Sequence, residues 1–239
     1  MNAIIEQIYK SGVVEDSHHN QLPHNTSSVS YDTGTVLYYL IREFRPDKTL
    51  EIGLAYGLTT LFVCQALSDN SKGFHTAIDP YQHKNYQSIG LLNIERAGLN
   101  EYLRFYQSPS YQVLAQLTIQ KETFDFAFID GSHLFDFVMV DFFFVDKLLN
   151  INGVVVFDDL WMPGIRKAVS FVLKNRAYKL IRPCNKEAVP LLKRMGRLGR
   201  RILQNPFERD WKIKWIPQNV AILQKTDRDT RVWMFHKKF

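Results

Sequence analysis

The sequence predicts a doubly wound α/β fold on a mostly parallel sheet. Between residues 49 and 182, short β-branched and aromatic runs alternate with longer stretches of helical apolar spacing. The short runs are apolar throughout, as strands covered on both faces are. Several of them stop on an acid or a glycine, at the end where open α/β sheets bind ligands.

The elements follow in order. Residues 13–34 are polar and turn-rich and read as a loop or lid. Gly34 to Phe44 has apolar residues at helical spacing, with Asp32 or Thr33 as N-cap and Pro46 as stop. Strands are expected over 49–53, 73–79, 103–107, 124–130 and 153–159. Helices are expected over 59–67, 86–99, 110–121, 135–149 and 165–175. After 177–182 the alternation breaks. Residues 183–218 form a basic insert, helical around "LLKRMGRLGRRIL", and a strand resumes over 219–225. A further strand over 231–237 follows the turn-like "TDRDT". The whole reads as one domain, residues 1–239, with an N-terminal lid segment 1–33 and the insert 183–218 before the last strand.

Composition narrows the setting. The chain has 239 residues, 46% apolar and 23% charged, an ordinary globular balance. Cys64 and Cys184 lie far apart without metal-type spacing and fit a reducing compartment, so a cytoplasmic location is expected. Residues 1–10 are too short and too interrupted, at Glu6, for a signal peptide. No apolar run approaches the ~20 residues of a membrane span. The net charge is +6. Lys179 to Lys214 holds eleven Lys and Arg against three acids, a local +8, so the remainder is −2 and near neutral.

Three motifs can carry chemistry. "LEIGLAYGLTT" runs from a strand through Glu51, Gly53 and Gly57 into a helix. Glycines there let the backbone turn tightly and approach a ligand, or simply make a tight turn. The spacing is not G-x-G-x-x-G, so a dinucleotide pyrophosphate is not the natural guest. "AIDPY" ends the next strand on Asp79, which either accepts hydrogen bonds from a ribose diol or caps the following helix. "FIDGSH" and "FDDLW" end two later strands on Asp130 and on Asp158-Asp159, 28 residues apart.

Adjacent strand ends lie about 4.8 Å apart, so the three carboxylates can converge. Unpaired, they would repel one another and be costly to desolvate. A hard divalent cation such as Mg²⁺ would remove that cost. The alternative is a cap, a pair with an Arg such as Arg166, and a solvent-facing acid. His133 stands three residues past Asp130, within reach of a proton on a coordinated alcohol. His18, His19, His24 and His83 lie in loops that could also reach the site. The aromatic run "DFFFVDK" reads as a core-facing helix.

The E-x-G-x-x-x-G loop with an acid ending the second strand resembles class I S-adenosylmethionine (SAM)-dependent methyltransferases. The resemblance covers residues 30–182 and extends to Asn219–Lys225. It implies a seven-stranded Rossmann-like sheet whose final strand is antiparallel. It places Glu51, Gly53, Tyr56 and Gly57 on the methionine side of the cofactor and Asp79 at the ribose. Gln107 and Ser108 fall at the adenine, where the family commonly has an acid, and Asp130 also borders the cofactor. "DGSH" and "DDLW" resemble metal-dependent O-methyltransferases of the catechol and macrolide-sugar kinds. That likeness implies Asp130, Asp158 and Asp159 as ligands of Mg²⁺ or another divalent cation, His133 and Asp130 as catalytic residues, and a hydroxylated small molecule, such as a sugar or a natural-product glycoside, as acceptor.

The basic insert leaves other readings open. It could be a nucleic-acid footprint, making RNA or another anionic molecule the acceptor. It could be a lid over the pocket or a contact between copies in a homo-oligomer. A non-catalytic SAM-fold binding protein is a third reading.

Overall fold

The computed structural model describes residues 1–24, 29–182, 219–235 and 237, together with Met195, Gly196 and Gly199. The insert helix expected around "LLKRMGRLGRRIL" therefore lies largely outside the described residues.

Helix α1 (Ala3–Ser11) opens the chain, with the Asn2 side chain accepting the Ile4 N–H and Gly12 closing the end at φ +76°. A small antiparallel hairpin follows, β1 (Val13–Glu15) and β2 (Gln21–Pro23). The expected loop over 13–34 is thus partly structured. Helix α2 (Tyr31–Phe44) starts three residues before Gly34, because Ser30 rather than Asp32 or Thr33 is the cap: the Thr33 N–H donates to Ser30 Oγ at 3.2 Å.

The main sheet comes next. Its elements are β3 (Lys48–Ile52), α3 (Leu58–Asn70), β4 (Phe74–Ile78), α4 (Gln82–Asn85), α5 (Ile89–Arg96), β5 (Leu103–Tyr106), α6 (Ser110–Ile119), β6 (Phe124–Ile129), α7 (Phe135–Leu148), β7 (Leu149–Phe157), α8 (Pro163–Asn175), β8 (Tyr178–Leu180) and β9 (Ala221–Lys225). The helix expected over 86–99 is shorter, Ile89–Arg96, because Gln87 and Ser88 take positive φ, and the short α4 stands before it. β7 begins four residues earlier than expected and absorbs Asn152 at φ +69°. No strand forms among the described residues of 231–237. Arg231 turns back onto Asp229, and Val232, Trp233 and Met234 are left exposed.

The sheet has seven strands in the order β5-β4-β3-β6-β7-β9-β8. Its pairs are parallel except those of β9, which runs antiparallel to both neighbours. One face buries Leu50, Phe142, Val155 and Val169 among α6, α7 and α8. The other buries Leu37, Val63, Phe126 and Val156 beneath α2 and α3. This two-sided burial is why the strands read as continuous apolar runs. The connection order reverses between β3 and β6, so a crevice opens at the carboxyl ends of β3, β4, β6 and β7. No described helix is long and apolar enough to cross a membrane.

Candidate active site

The loop after β3 is shaped by contacts that admit no side chain. Gly53 sits at φ +96°, and a Cβ there would lie 2.1 Å from the Asp130 carbonyl oxygen. Gly57 caps α3 at φ +75°, and a Cβ there would lie 2.7 Å from the Gly90 carbonyl oxygen. Between them Ala55 is also left-handed, at φ +46°. Asp79 holds this loop. Its Oδ2 accepts the N–H groups of Leu54 at 3.1 Å and Ala55 at 2.8 Å, and its Oδ1 accepts that of Tyr81 at 2.7 Å. Asp79 is therefore the organiser of the glycine loop and also the cap of the turn after β4. Tyr56 packs edge-on against Tyr86, and Asn93 donates to its carbonyl at 3.0 Å.

Glu51 is fully buried beneath the loop. Its Oε2 accepts from Thr60 Oγ1 at 2.5 Å and from His75 Nε2 at 2.8 Å. Its Oε1 has no partner among the described residues. Gln107 is exposed just past β5, and the Ser108 hydroxyl donates to Gln112 Oε1 at 3.1 Å.

The acidic strand ends meet beside this loop. The Asp130 N–H donates to the Ile52 carbonyl at 3.0 Å, so β3 and β6 end together. Asp130, His133 and Asp159 each offer a donor atom, all within 4.8 Å of one another. His133 Nε2 lies 3.6 Å from Asp159 Oδ2. Asp159 is left-handed at φ +54°, a costly conformation for an acid and one that concentrates at functional sites. Its Oδ1 accepts from Asn219 Nδ2 at 3.0 Å and from Trp161 Nε1 at 2.9 Å.

Asp158 is outside that three-residue group. Its Oδ1 accepts from the Asp159 N–H at 2.8 Å and from Asn219 Nδ2 at 3.3 Å. Arg166 donates to the Leu160 and Trp161 carbonyls and so fixes the loop that carries both acids.

The electrostatics are those of an under-compensated acidic cluster. Burial, then Asp158, Asp159 and Glu51, hold the Asp130 carboxyl well above the usual carboxylate range. Burial, then Asp159, push Asp158 up to about 7, against hydrogen bonds from the Asp159 N–H and Asn219. Asp130 has no side-chain hydrogen bond to any described residue. Oxygen-rich, partly exposed and short of a counter-charge among the described residues, the group could hold a divalent cation. Asp158 also helps raise the Tyr9 phenol, after burial and Tyr31.

Several residues here carry no local sequence signal. Asn219 bridges Asp158 and Asp159 from about 60 positions away. Asp141 is buried on α7, bonded by Ser110 Oγ at 2.6 Å, and burial pushes it up to about 6. An acid on the apolar face of "DFFFVDK" was its one available sign. Of the loop histidines, His24 packs edge-on against Tyr9, His19 meets Glu15, and His83 meets Ser88.

A glycine loop braced by Asp79 stands at the switch point of this sheet, and the part of the chain that carries it is similar to methyltransferases. Residues 50–160 match the family model described as "Methyltransferase domain". The chain is 30% identical over 150 residues to a caffeoyl-CoA O-methyltransferase of Populus kitakamiensis, covering 59% of each chain. It is 36% identical over 112 residues to caffeoyl-CoA O-methyltransferase 2 of Zea mays, covering 46% of this chain and 41% of that one. It thus spans well under two thirds of these curated relatives.

Among solved structures, the O-methyltransferase from Bacillus cereus in complex with S-adenosylhomocysteine (SAH) aligns with a TM-score of 0.62 at 23% identity, over 76% of this chain and 83% of that one. TomG from Streptomyces achromogenes, solved with SAM, aligns with a TM-score of 0.63 at 15% identity, over 95% and 91%. These likenesses establish the fold.

Proposed function

We propose that the protein is a SAM-dependent O-methyltransferase, assisted by Mg²⁺ or another divalent cation, that methylates a hydroxyl of a small molecule. The observation that carries this is the meeting of two constructions at one crevice. The braced glycine loop after β3 touches the backbone of Asp130, the first acid of the cation-type cluster. The relatives named caffeoyl-CoA O-methyltransferase support oxygen as the acceptor atom.

The cofactor fits the residues present. Gly53 and Gly57 let the loop pack directly against the Asp130 and Gly90 backbones at the carboxyl end of β3, and Glu51 keeps one buried carboxylate oxygen unpartnered among the described residues. Glu51, Gly53, Tyr56, Gly57 and Asp79 would hold SAM, with Gln107 and Ser108 at its far end; its sulfonium supplies the electrophilic methyl carbon. Asp130 and Asp159, with Asp158 behind them, would hold the cation, which lowers the pKa of an alcohol and positions it. His133 would take the hydroxyl proton; its Nε2 stands 3.6 Å from Asp159 Oδ2, beside the carboxylates that would hold the cation. Overall the acceptor O–H bond and the cofactor S–CH₃ bond break, the O–CH₃ bond forms, and SAH and a proton leave. The loops exclude water and align donor with acceptor.

The acceptor class has two supports. "DGSH" with "DDLW" favours a sugar or glycoside hydroxyl, and the caffeoyl-CoA relatives favour a phenol. Transfer of a labelled methyl group from SAM to a panel of glycosides and catechols separates them. Labelling of neither, by protein that binds SAH, would exclude both. An RNA acceptor would rest on the basic residues 183–218, and would show affinity falling steeply with salt.

A further inference from the structure

We infer that His75 is a positioning residue for the cofactor. It orients Glu51 so that Oε1 is kept for the amino group of the methionine moiety. This rests on the SAM-binding reading above.

Thr49 and Glu51 lie two residues apart on β3 and share one face of the sheet. His75 is directly opposite Thr49 on β4. Its ring spans both side chains: Nδ1 lies 2.8 Å from Thr49 Oγ1, and Nε2 lies 2.8 Å from Glu51 Oε2. His75 is 1% exposed and Glu51 0%, so water does not compete for these bonds. A carboxylate only accepts, so the proton between the two residues rides on Nε2. Thr49 Oγ1 also lies 3.3 Å from the Phe74 carbonyl, and its single proton serves either that oxygen or Nδ1. Thr60, in the first turn of α3, donates to the same Oε2.

Two donors thus converge on one oxygen and none on the other. A buried carboxylate oxygen without a partner is costly, and native structures rarely keep one without use. Glu51 lies directly before the Ile52-Gly53 turn of the glycine loop. A cationic amino group there supplies the missing donor with the right charge. His75 itself never touches the cofactor. It fixes the carboxylate's rotation, so that binding orders no further side chain.

Calorimetric titration with two probes tests this. SAH carries the amino-acid group, and 5′-methylthioadenosine lacks it. His75→Asn keeps a polar group near Thr49 but is too short to reach Glu51. His75→Gln restores a donor at the Nε2 position. The expected result is a Kd for SAH raised about tenfold or more in His75→Asn, largely recovered in His75→Gln, with methylthioadenosine affinity changed less than about twofold. In a Glu51→Gln background, His75→Asn should add little. Equal losses for both probes, or no loss for SAH in folded His75→Asn protein, would overturn the assignment. Should His75→Asn fail to fold, Thr60→Val removes the other Oε2 donor. The same probe-selective loss is then expected, and a loss shared by both probes overturns it. Wild-type protein that binds neither probe overturns the SAM reading, and this one with it; wild-type binding with no difference between variants overturns this one alone.

Discussion

A methyl group on Gly53 would sit 2.1 Å from the carbonyl oxygen of Asp130. The glycine of the cofactor loop and the first acid of the cluster are therefore packed backbone to backbone. Neither loop can shift without the other, which under the proposed function would register a methyl donor against an acceptor.

Gly53→Ala should for this reason damage both halves of the site. The added Cβ meets carbonyl backbone that cannot rotate away, at a φ of +96° that alanine tolerates poorly. A stability loss of about 2–4 kcal/mol is expected. Chemical denaturation should show it, together with loss of SAH binding and weaker cation binding. Loss of one alone would mean that the loops are independent.

His133→Ala should lower kcat by about 10²–10⁴-fold, the usual contribution of a positioned base. SAH affinity and cation affinity should stay near wild type. A parallel fall in cation affinity, measured by titration with Mn²⁺, would instead make His133 a ligand, a role its place within the Asp130–Asp159 group also permits.

Divalent cations should raise Tm. Binding at a hundred times Kd corresponds to about 2.7 kcal/mol. Asp130→Asn removes a carboxylate that Asp158, Asp159 and Glu51 repel. It should make the metal-free protein more stable while abolishing the cation-induced shift. A shift that survives in Asp130→Asn would place the cation elsewhere.

Asp141 gives the fold a pH dependence of its own. Burial raises its folded pKa from 3.8 to about 6, so the folded chain holds that proton more tightly than the unfolded chain. Its contribution is full below about pH 3.8 and declines as pH rises to about 6, by up to about 3 kcal/mol. Asp141→Asn should remove this decline and raise Tm at pH 7, since the amide oxygen can still accept from Ser110. An unchanged difference between pH 4 and pH 7 would show that Asp141 is not the group responsible.

Much of this was legible in the sequence because it is local. Strands closing on Ile52, Ile78, Ile129 and Phe157 are buried on both faces and largely apolar, and a run of that kind announces itself. The residues just past them, Gly53, Asp79, Asp130 and Asp158, stand out by contrast. Ser30 was hidden because Asp32 and Thr33 are equally good caps in composition, and only the chain's entry into α2 decides among them. Asn219 and His75 act across strands, and such contacts leave no spacing to read. The apolar run at Val232 resembles a strand, but no sheet edge pairs with it among the described residues.

The most direct test of the whole account is transfer of a labelled methyl group from SAM to hydroxylated acceptors, glycosides and catechols, with and without a chelator. The account predicts label on an acceptor oxygen, lost on chelation and restored by Mg²⁺ or another divalent cation. Undiminished transfer in the chelator would contradict the role given to Asp130, Asp158 and Asp159.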